Sequence, residues 1–206
     1  MLKNIIFDFG GVLYDIDFTK TYAAFESLGF SNFAELFSQH SADKLFQNLE
    51  TGKITPGAFY NRIKEIAPQP VTDLQIQNAW NALLLGYRTE SLCYLKQLKS
   101  DYQLYLLSNT NTIHYDHFST ELKGQTEYES LESFFTKAYY SQDIGLRKPE
   151  IEVFEFILKD AGIVAAETLF IDDSYTNFPN AEKLGMKTFL LKPGERIENI
   201  DYTRLH

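Results

Sequence analysis

Carboxylate, hydroxyl and ammonium groups stand at four separated places in this chain. Asp8 follows Asn4-Ile5-Ile6-Phe7 and precedes Phe9-Gly10-Gly11. Ser108-Asn109 follows Leu104-Tyr105-Leu106-Leu107, Lys148 stands in Arg147-Lys148-Pro149-Glu150, and Asp172-Asp173 follows Leu169-Phe170-Ile171. Each lies at or beyond the end of an apolar run. In an open parallel α/β sheet the ligand crevice lies beyond the carboxyl ends of the strands, at the switch point, so residues scattered in sequence converge there. Converging carboxylates, a small hydroxyl, a lysine and glycine-bearing backbone suit the holding of a divalent cation and a phosphoryl group while a carboxylate attacks.

Asp8 is a poor strand former and is costly to bury unpaired. Gly10-Gly11 directly after it allow a tight turn and a close approach to ligand, with N–H groups free to line a phosphate. Asp172 and Asp173 repel one another at a strand end, and a bound dication relieves that repulsion. Their bland alternative is a helix N-cap. Ser108-Asn109 alone would read as an ordinary turn, and Lys148 alone as a solvated surface lysine. His114 and His117 lack a third ligand for a metal site and read as solvated helix or loop positions. His40 and His206 carry no signal.

Five apolar runs read as buried strands that position these groups: Ile5 to Phe7, Leu104 to Leu107, Ala138 to Tyr140, Leu169 to Ile171 and Thr188 to Leu191. Helical patterns over Leu92–Leu98, Ile151–Leu158 and Ala181–Leu184 alternate with them, with Pro149 near the start of the second and Gly185 after the third. The alternation implies a parallel sheet with helices on both faces. After Leu13 about 70 residues show no convincing strand, too long for a loop in a compact domain. Helical patterns at Phe18–Leu28, Phe33–Gln39, Asp43–Leu49, Pro56–Ile66 and Asp73–Leu84 fill the span. The expected fold class is therefore α/β: a Rossmann-like parallel sheet core, residues 1–14 and 87–206, with an inserted helical cap domain, residues 15–86. An insertion directly after the strand that carries Asp8 would sit over the crevice as a lid.

At 206 residues with 44% apolar and 15% aromatic content, the chain can bury a sizeable core. The formal charge of −9 lacks the basic footprint of a nucleic-acid binder. It also repels anionic substrates at long range, so a phosphate site has to be built locally. The single Cys93 excludes an intrachain disulfide and reads as a buried structural thiol. No apolar run approaches the roughly 20 residues of a membrane span, and no secretory signal pattern opens the chain. The expectation is a cytoplasmic protein acting on a small-molecule phosphate ester, without nucleic-acid or membrane partners; the sequence leaves the oligomeric state unknown.

The strings Asp8-Phe9-Gly10-Gly11-Val12-Leu13, Leu106-Leu107-Ser108-Asn109, Lys148-Pro149-Glu150 and Phe170-Ile171-Asp172-Asp173-Ser174, in this order, resemble the haloacid dehalogenase-like hydrolases. The helical span after the first motif is similar to that superfamily's helical-cap branch. Asp15-Ile16-Asp17-Phe18, Leu107-Ser108-Asn109-Thr110-Asn111 and Ser141-Gln142-Asp143-Ile144-Gly145-Leu146-Arg147-Lys148-Pro149-Glu150 resemble the α-D-glucose-1-phosphate phosphatase subgroup. The resemblance implies a Mg²⁺-dependent phosphatase hydrolysing a small phosphorylated metabolite, such as glucose 1-phosphate, through an aspartyl-phosphate on Asp8. It implies metal ligation by Asp8, the Gly10 carbonyl, Asp173 and Asp172, the last directly or through water. It implies phosphoryl binding by Ser108, Asn109, Gly11 and Lys148, with Asp8, Ser108 and Lys148 catalytic. Asn177 would brace the acidic loop.

One departure stands out. Phosphatases of this superfamily usually carry an aspartate two residues past the nucleophile as leaving-group acid, and this chain has Gly10 there. Leaving-group protonation contributes about a hundred- to ten-thousandfold. A hemiacetal leaving oxygen is less basic than an alkoxide and demands less of it. Asp15 and Asp17 are the candidates for a substitute acid or a sugar-hydroxyl contact. The glycine also keeps open a non-catalytic metal-binding module of the same fold. A dehalogenase-type hydrolase uses the same carboxylate attack, but gains nothing from a dication.

Overall fold

All five expected strands form in the computed structural model, which describes residues 1–31, 33 and 44–205. They are β1 (Asn4–Phe7), β4 (Gln103–Ser108), β5 (Lys137–Tyr140), β6 (Thr168–Asp172) and β7 (Lys187–Leu190). They pair in the order β5-β4-β1-β6-β7, every pair parallel. Side chains alternate across a strand, so Ile5, Phe7, Leu104, Leu106, Leu169 and Ile171 enter one core. Ile6, Tyr105, Leu107 and Phe170 enter the other. Helices α5 (Thr89–Leu98) and α6 (Thr112–Gln125) cover the first face through Leu92, Leu95, Phe118 and Leu122; α7 (Ile151–Ala161) and α8 (Phe178–Lys183) cover the second through Val153, Phe154, Ile157 and Ala181. Burial on both faces explains why these strands read as continuous apolar runs.

The chain builds outward from β1 to β5, then returns across the sheet to β6. The switch point consequently lies at β1. Phe7 stands level with Leu106 on one side and Ile171 on the other. Asp8, Ser108 and Asp172 therefore emerge at one rim.

Between β1 and β4 the chain leaves the sheet through β2 (Tyr14–Ile16) and returns through β3 (Leu84–Tyr87), which pair antiparallel. Neither was legible as a strand: three or four residues are too few for a period-two pattern to stand out. The helical reading of Asp73–Leu84 also ran too far, because α4 (Asp73–Asn81) stops where the run into β3 begins. The other described helices of this span are α1 (Phe18–Ser27), α2 (Leu45–Glu50) and α3 (Pro56–Ile66). Asp17 caps α1, Thr55 caps α3 ahead of Pro56, and Thr72 with Gln75 forms a capping box on α4. Residues 34–39 of the helical reading over Phe33–Gln39 and the first residue of Asp43–Leu49 lie outside the described residues, as do His40 and His206. Phe25, Phe33, Phe46, Phe59 and Trp80 form the apolar cluster of this unit, and Ile113 of α6 joins it.

Helix α6 was not read from the sequence, and it corrects one residue assignment. His114 is buried, not solvated. Its ring stacks on Trp80 of α4 at 5.1 Å, its Nε2 lies 3.1 Å from the Trp80 carbonyl oxygen, and its Nδ1 lies 3.0 Å from Asn111 Nδ2. An amide NH₂ only donates and a carbonyl only accepts, so the ring is neutral with its proton on Nε2. His117, one helical turn on, is exposed as expected. Cys93 is exposed, contrary to the buried thiol expected; α5 buries the stripe Leu92, Leu95 and Leu98, and position 93 falls beside it. Among the described residues no helix is long and apolar enough to cross a membrane.

Burial pushes the His114 imidazole down from 6.5 to about 4 in the folded chain. The unfolded chain therefore binds the extra proton between those values. The neutral ring's contribution is complete above about pH 6.5 and is lost as pH falls toward 4. Denaturant titrations of the wild type and His114→Gln should show their stability difference shrinking by on the order of 3 kcal/mol between pH 7 and pH 4. A difference constant with pH would contradict the buried neutral ring.

Candidate active site

The rim residues meet around one buried ammonium. Lys148 Nζ lies 2.6 Å from Asp8 Oδ1 and 2.7 Å from Asp172 Oδ2, with the lysine 2% exposed. Asp8 follows β1 and is fixed there by its N–H donating to the Ile171 carbonyl. Asp172 is the last residue of β6 and wholly buried. Its carboxylate accepts from Ser174 N at 2.8 Å and from Asn177 Nδ2 at 3.0 and 2.9 Å, besides Lys148. Asn177 thus braces the acidic loop by gripping Asp172. With both oxygens already engaged, Asp172 aims Lys148 at Asp8.

Asp173 is the exposed member of the pair. One carboxylate oxygen from each of Asp8, Asp172 and Asp173 lies within 4.8 Å of the others. Burial pushes the Asp8 carboxyl up to about 7, with Asp172 and Asp173 adding to it and Lys148 opposing. Asp173 is raised by burial and by Asp172. Burial alone would depress the Lys148 ammonium, but Asp8 and Asp172 outweigh it and hold its pKa above the ordinary lysine value. Three carboxylates around one lysine leave uncompensated negative charge. Hard oxygen donors carrying such a surplus fit a divalent cation of the Mg²⁺ type, which relieves it.

Gly11, with φ +73, is the glycine the turn needs; a Cβ there would sit 2.0 Å from Asp173 Oδ2. The backbone at Gly11 leaves the space that the Asp173 carboxylate fills. Gly10 is less constrained: the near neighbours of a Cβ there are all in the Ile16 side chain, Cδ1 first at 3.1 Å.

On the other side of the rim, Ser108 ends β4 and is 2% exposed. Asn109 makes a reciprocal pair with the Lys148 backbone, Nδ2 donating to the Lys148 carbonyl and Oδ1 accepting from its N–H, both at 2.9 Å. Its side chain therefore sets the lysine's place. The Ser141 hydroxyl repeats the pattern, accepting from Thr110 N at 3.0 Å and donating to Thr110 O at 2.9 Å. Gly10, Ser108 and Asn109 open onto a cavity that the helical span roofs with Phe18, Glu50, Trp80 and Leu83. Asp8 and Lys148 are not in its wall; the cavity adjoins them through Gly10 and Ser108-Asn109.

Asp8, Lys148, Asp172 and Asp173 gather at this rim, with Gly10, Gly11, Ser108 and Asn109 beside them. Asp15 and Asp17, the candidate substitute acids, are engaged elsewhere. Asp15 Oδ1 is held by Arg88 Nε at 2.7 Å, and Asp17 caps α1 through Thr19 N at 2.9 Å and Thr19 Oγ1 at 2.6 Å. Neither lines the cavity. His114, which does, has both ring nitrogens engaged. Sequence reasoning missed the clamp by the Asn109 side chain, and Trp80 and Glu50 in the roof. A Ser-Asn pair signals a turn whichever way the amide points, and one acid or tryptophan on an amphipathic helix carries no site signal.

A family model described as haloacid dehalogenase-like hydrolase matches residues 2–185. The D-ribitol-5-phosphate phosphatase of Bacteroides thetaiotaomicron is 33% identical over 189 residues, 92% of this chain and 91% of that protein. A HAD family enzyme of the same organism, solved with magnesium and inorganic phosphate, superposes with a TM-score of 0.85 at 38% identity, covering 96% of this chain and 98% of that one. A HAD-like family hydrolase of Porphyromonas gingivalis gives a TM-score of 0.87 at 32% identity, covering 100% and 98%.

Gly11→Ala places a methyl group on the Asp173 carboxylate and forces a left-handed backbone costing about 1–2 kcal/mol. Calorimetric titration should show dication affinity at least roughly tenfold weaker in a variant that still folds. Gly10→Ala, which meets a flexible isoleucine side chain, should bind within about threefold of wild type. Equal affinities in Gly11→Ala and wild type would detach Asp173 from the cation.

Proposed function

This chain belongs to the haloacid dehalogenase-like hydrolases, and from that we infer a Mg²⁺-dependent phosphatase that hydrolyses a small sugar or sugar-alcohol phosphate through Asp8. The observation that carries this reading is the Lys148 ammonium held between Asp8 and Asp172, with Asp173 alongside. A dehalogenase has no use for the surplus negative charge at this rim, and a binding module has no use for an aimed carboxylate beside a lysine. The relative that acts on D-ribitol 5-phosphate supports a sugar-alcohol ester. Glucose 1-phosphate, suggested by the sequence motifs, belongs in the same class.

In this reading Asp8, the Gly10 carbonyl and Asp173 would hold Mg²⁺, with Asp172 beside them, directly or through water. The cation supplies charge neutralisation between the attacking carboxylate and the phosphoryl oxygens when bound. One Asp8 oxygen attacks phosphorus, the bond from phosphorus to the leaving oxygen breaks, and that oxygen departs with the electron pair. Lys148 neutralises charge on the phosphoryl oxygens and fixes the Asp8 carboxylate in line. The Ser108 hydroxyl and the N–H groups of Asn109 and Gly11 bind the remaining phosphoryl oxygens. Water then attacks the phosphorus of phospho-Asp8, releasing phosphate and restoring the carboxylate. The leaving oxygen takes its proton from solvent or from the roof, since Gly10 supplies none. Residues 15–86 act as the cap over this rim, and their exit and return at β2 and β3 form the stem on which a cap would move.

Phosphate release from a panel of sugar and sugar-alcohol phosphates, with and without Mg²⁺, tests the reading. Turnover should require Mg²⁺ and fall by at least about a thousandfold in Asp8→Asn. Turnover no faster in the wild type than in Asp8→Asn, on every ester, would favour the binding module.

A second expectation follows from Asp8, held up to about 7 before the cation arrives. A proton and Mg²⁺ compete for that carboxylate. Apparent Mg²⁺ affinity should fall as pH drops below 7, approaching about tenfold per unit. Titrations at several pH values that give one constant affinity would exclude Asp8 as a ligand.

A further inference from the structure

The helical span returns to the core at Arg88, the first residue after β3. Its side chain, 10% exposed, reaches back to the turn that leaves β1. The Arg88 N–H donates to the Leu13 carbonyl and its Nη1 to the Val12 carbonyl, both at 3.0 Å. Its Nε donates to Asp15 Oδ1 at 2.7 Å. Three bonds from one residue thus grip the chain just past Gly10-Gly11.

That turn is closed on itself and packs on Asp173. The N–H groups of Val12, Leu13 and Tyr14 converge on the Phe9 carbonyl, at 3.2, 2.8 and 3.1 Å. Val12 and Leu13 are wholly buried. Gly11, in the same turn, touches the Asp173 carboxylate so closely that a Cβ there would sit 2.0 Å from Oδ2. A grip on Val12 and Leu13 therefore sets where Gly10 and Gly11 stand relative to Asp173. The guanidinium is also near enough for its charge to oppose the rise that burial and Asp172 cause at Asp173. Arginine suits the task, because its planar fork donates in two directions at once, where an ammonium is a flexible point charge.

We propose that Arg88 is a positioning residue of the cation site, its guanidinium fork holding the turn that carries Gly10 in place against Asp173. The proposal rests on the reading in which the Gly10 carbonyl and Asp173 are cation ligands, and adds to it what sets their spacing. Asp15 enters as the anchor of the fork. Arg88 acts through the turn, and the sign of its effect separates this role from the alternatives. A cation near a dication site repels the dication, so by charge alone removing Arg88 should tighten Mg²⁺ binding. Removing a group that orients metal ligands weakens it, by about 10–100-fold.

The test titrates Mg²⁺ calorimetrically into wild type, Arg88→Gln, Arg88→Lys and Lys3→Gln, each below its melting temperature. Lys3→Gln breaks an ion pair with Glu167 at the other end of β1 and serves as the control. Both Arg88 variants should bind Mg²⁺ at least about tenfold more weakly than wild type, and Lys3→Gln within about threefold of it. Saturating Mg²⁺ should bring kcat of the Arg88 variants back to within about threefold, since the reacting groups are untouched. Unchanged or tighter binding in Arg88→Gln, beside a lowered melting temperature of the metal-free protein, would make Arg88 a structural tie and overturn the proposal. Wild-type affinity in Arg88→Lys would assign the effect to charge and not to the fork, which also overturns it. Should Arg88→Gln fail to fold, Arg88→Lys alone decides on that criterion. Equal weakening in Lys3→Gln would trace the loss to general destabilisation and overturn the proposal as well. A wild type that binds no Mg²⁺ would instead sink the reading of the rim as a cation site.

Discussion

A lysine ammonium with 2% of its surface exposed is the constraint around which the rim is built. Removing such a charge from water costs several kcal/mol even after relaxation, and only close, oriented anions offset it. Asp8 and Asp172 supply them at 2.6 and 2.7 Å. Asp172 can do so because Asn177 and the Ser174 N–H pin its carboxylate. Lys148 can reach both because Asn109 fixes its backbone. The place of Asp8 is thus set by residues that come from three other segments of chain. The parallel registers at β1 bring those segments level.

Electrostatics at the rim and apolar packing in the roof divide the work. The rim concentrates charge where burial strengthens it, and the Asp8 and Asp173 carboxyls are raised because burial disfavours their charged forms. The roof stands on an aromatic cluster that reaches the core through Trp80, His114 and Ile113. A neutral, doubly hydrogen-bonded histidine suits that junction, since a charged ring there would meet the Trp80 carbonyl well but the Asn111 amide badly.

The sheet was legible because its strands are buried on both faces and read as unbroken apolar runs. Asp8, Ser108, Lys148 and Asp172-Asp173 were legible because polar groups at the ends of such runs are costly without a purpose. What escaped had weaker physics in one dimension. Strands β2 and β3 are short and pair only with each other, so tertiary closure of the insertion makes them, not their own pattern. Helix α6 carries Ile113, His114, Phe118 and Leu122 inward, and a buried histidine in that stripe blurs the periodicity. The exposed Cys93 shows the reverse error, an apolar residue type placed inside by habit when its position on α5 points out. Asp15 and Asp17 looked chemical because acids near a nucleophile do; one pairs with Arg88 and the other caps a helix.

Two reciprocal hydrogen-bond pairs, Asn109 with Lys148 and Thr110 with Ser141, lace the loop after β4 to the segment that follows β5. Each pair closes a ring, so one bond cannot lengthen without straining its twin. Loops usually soften first as temperature rises. Here the loop after β4 and the segment after β5 are tied to one another as well as to their paired strands, so they would be expected to soften with the sheet and not ahead of it.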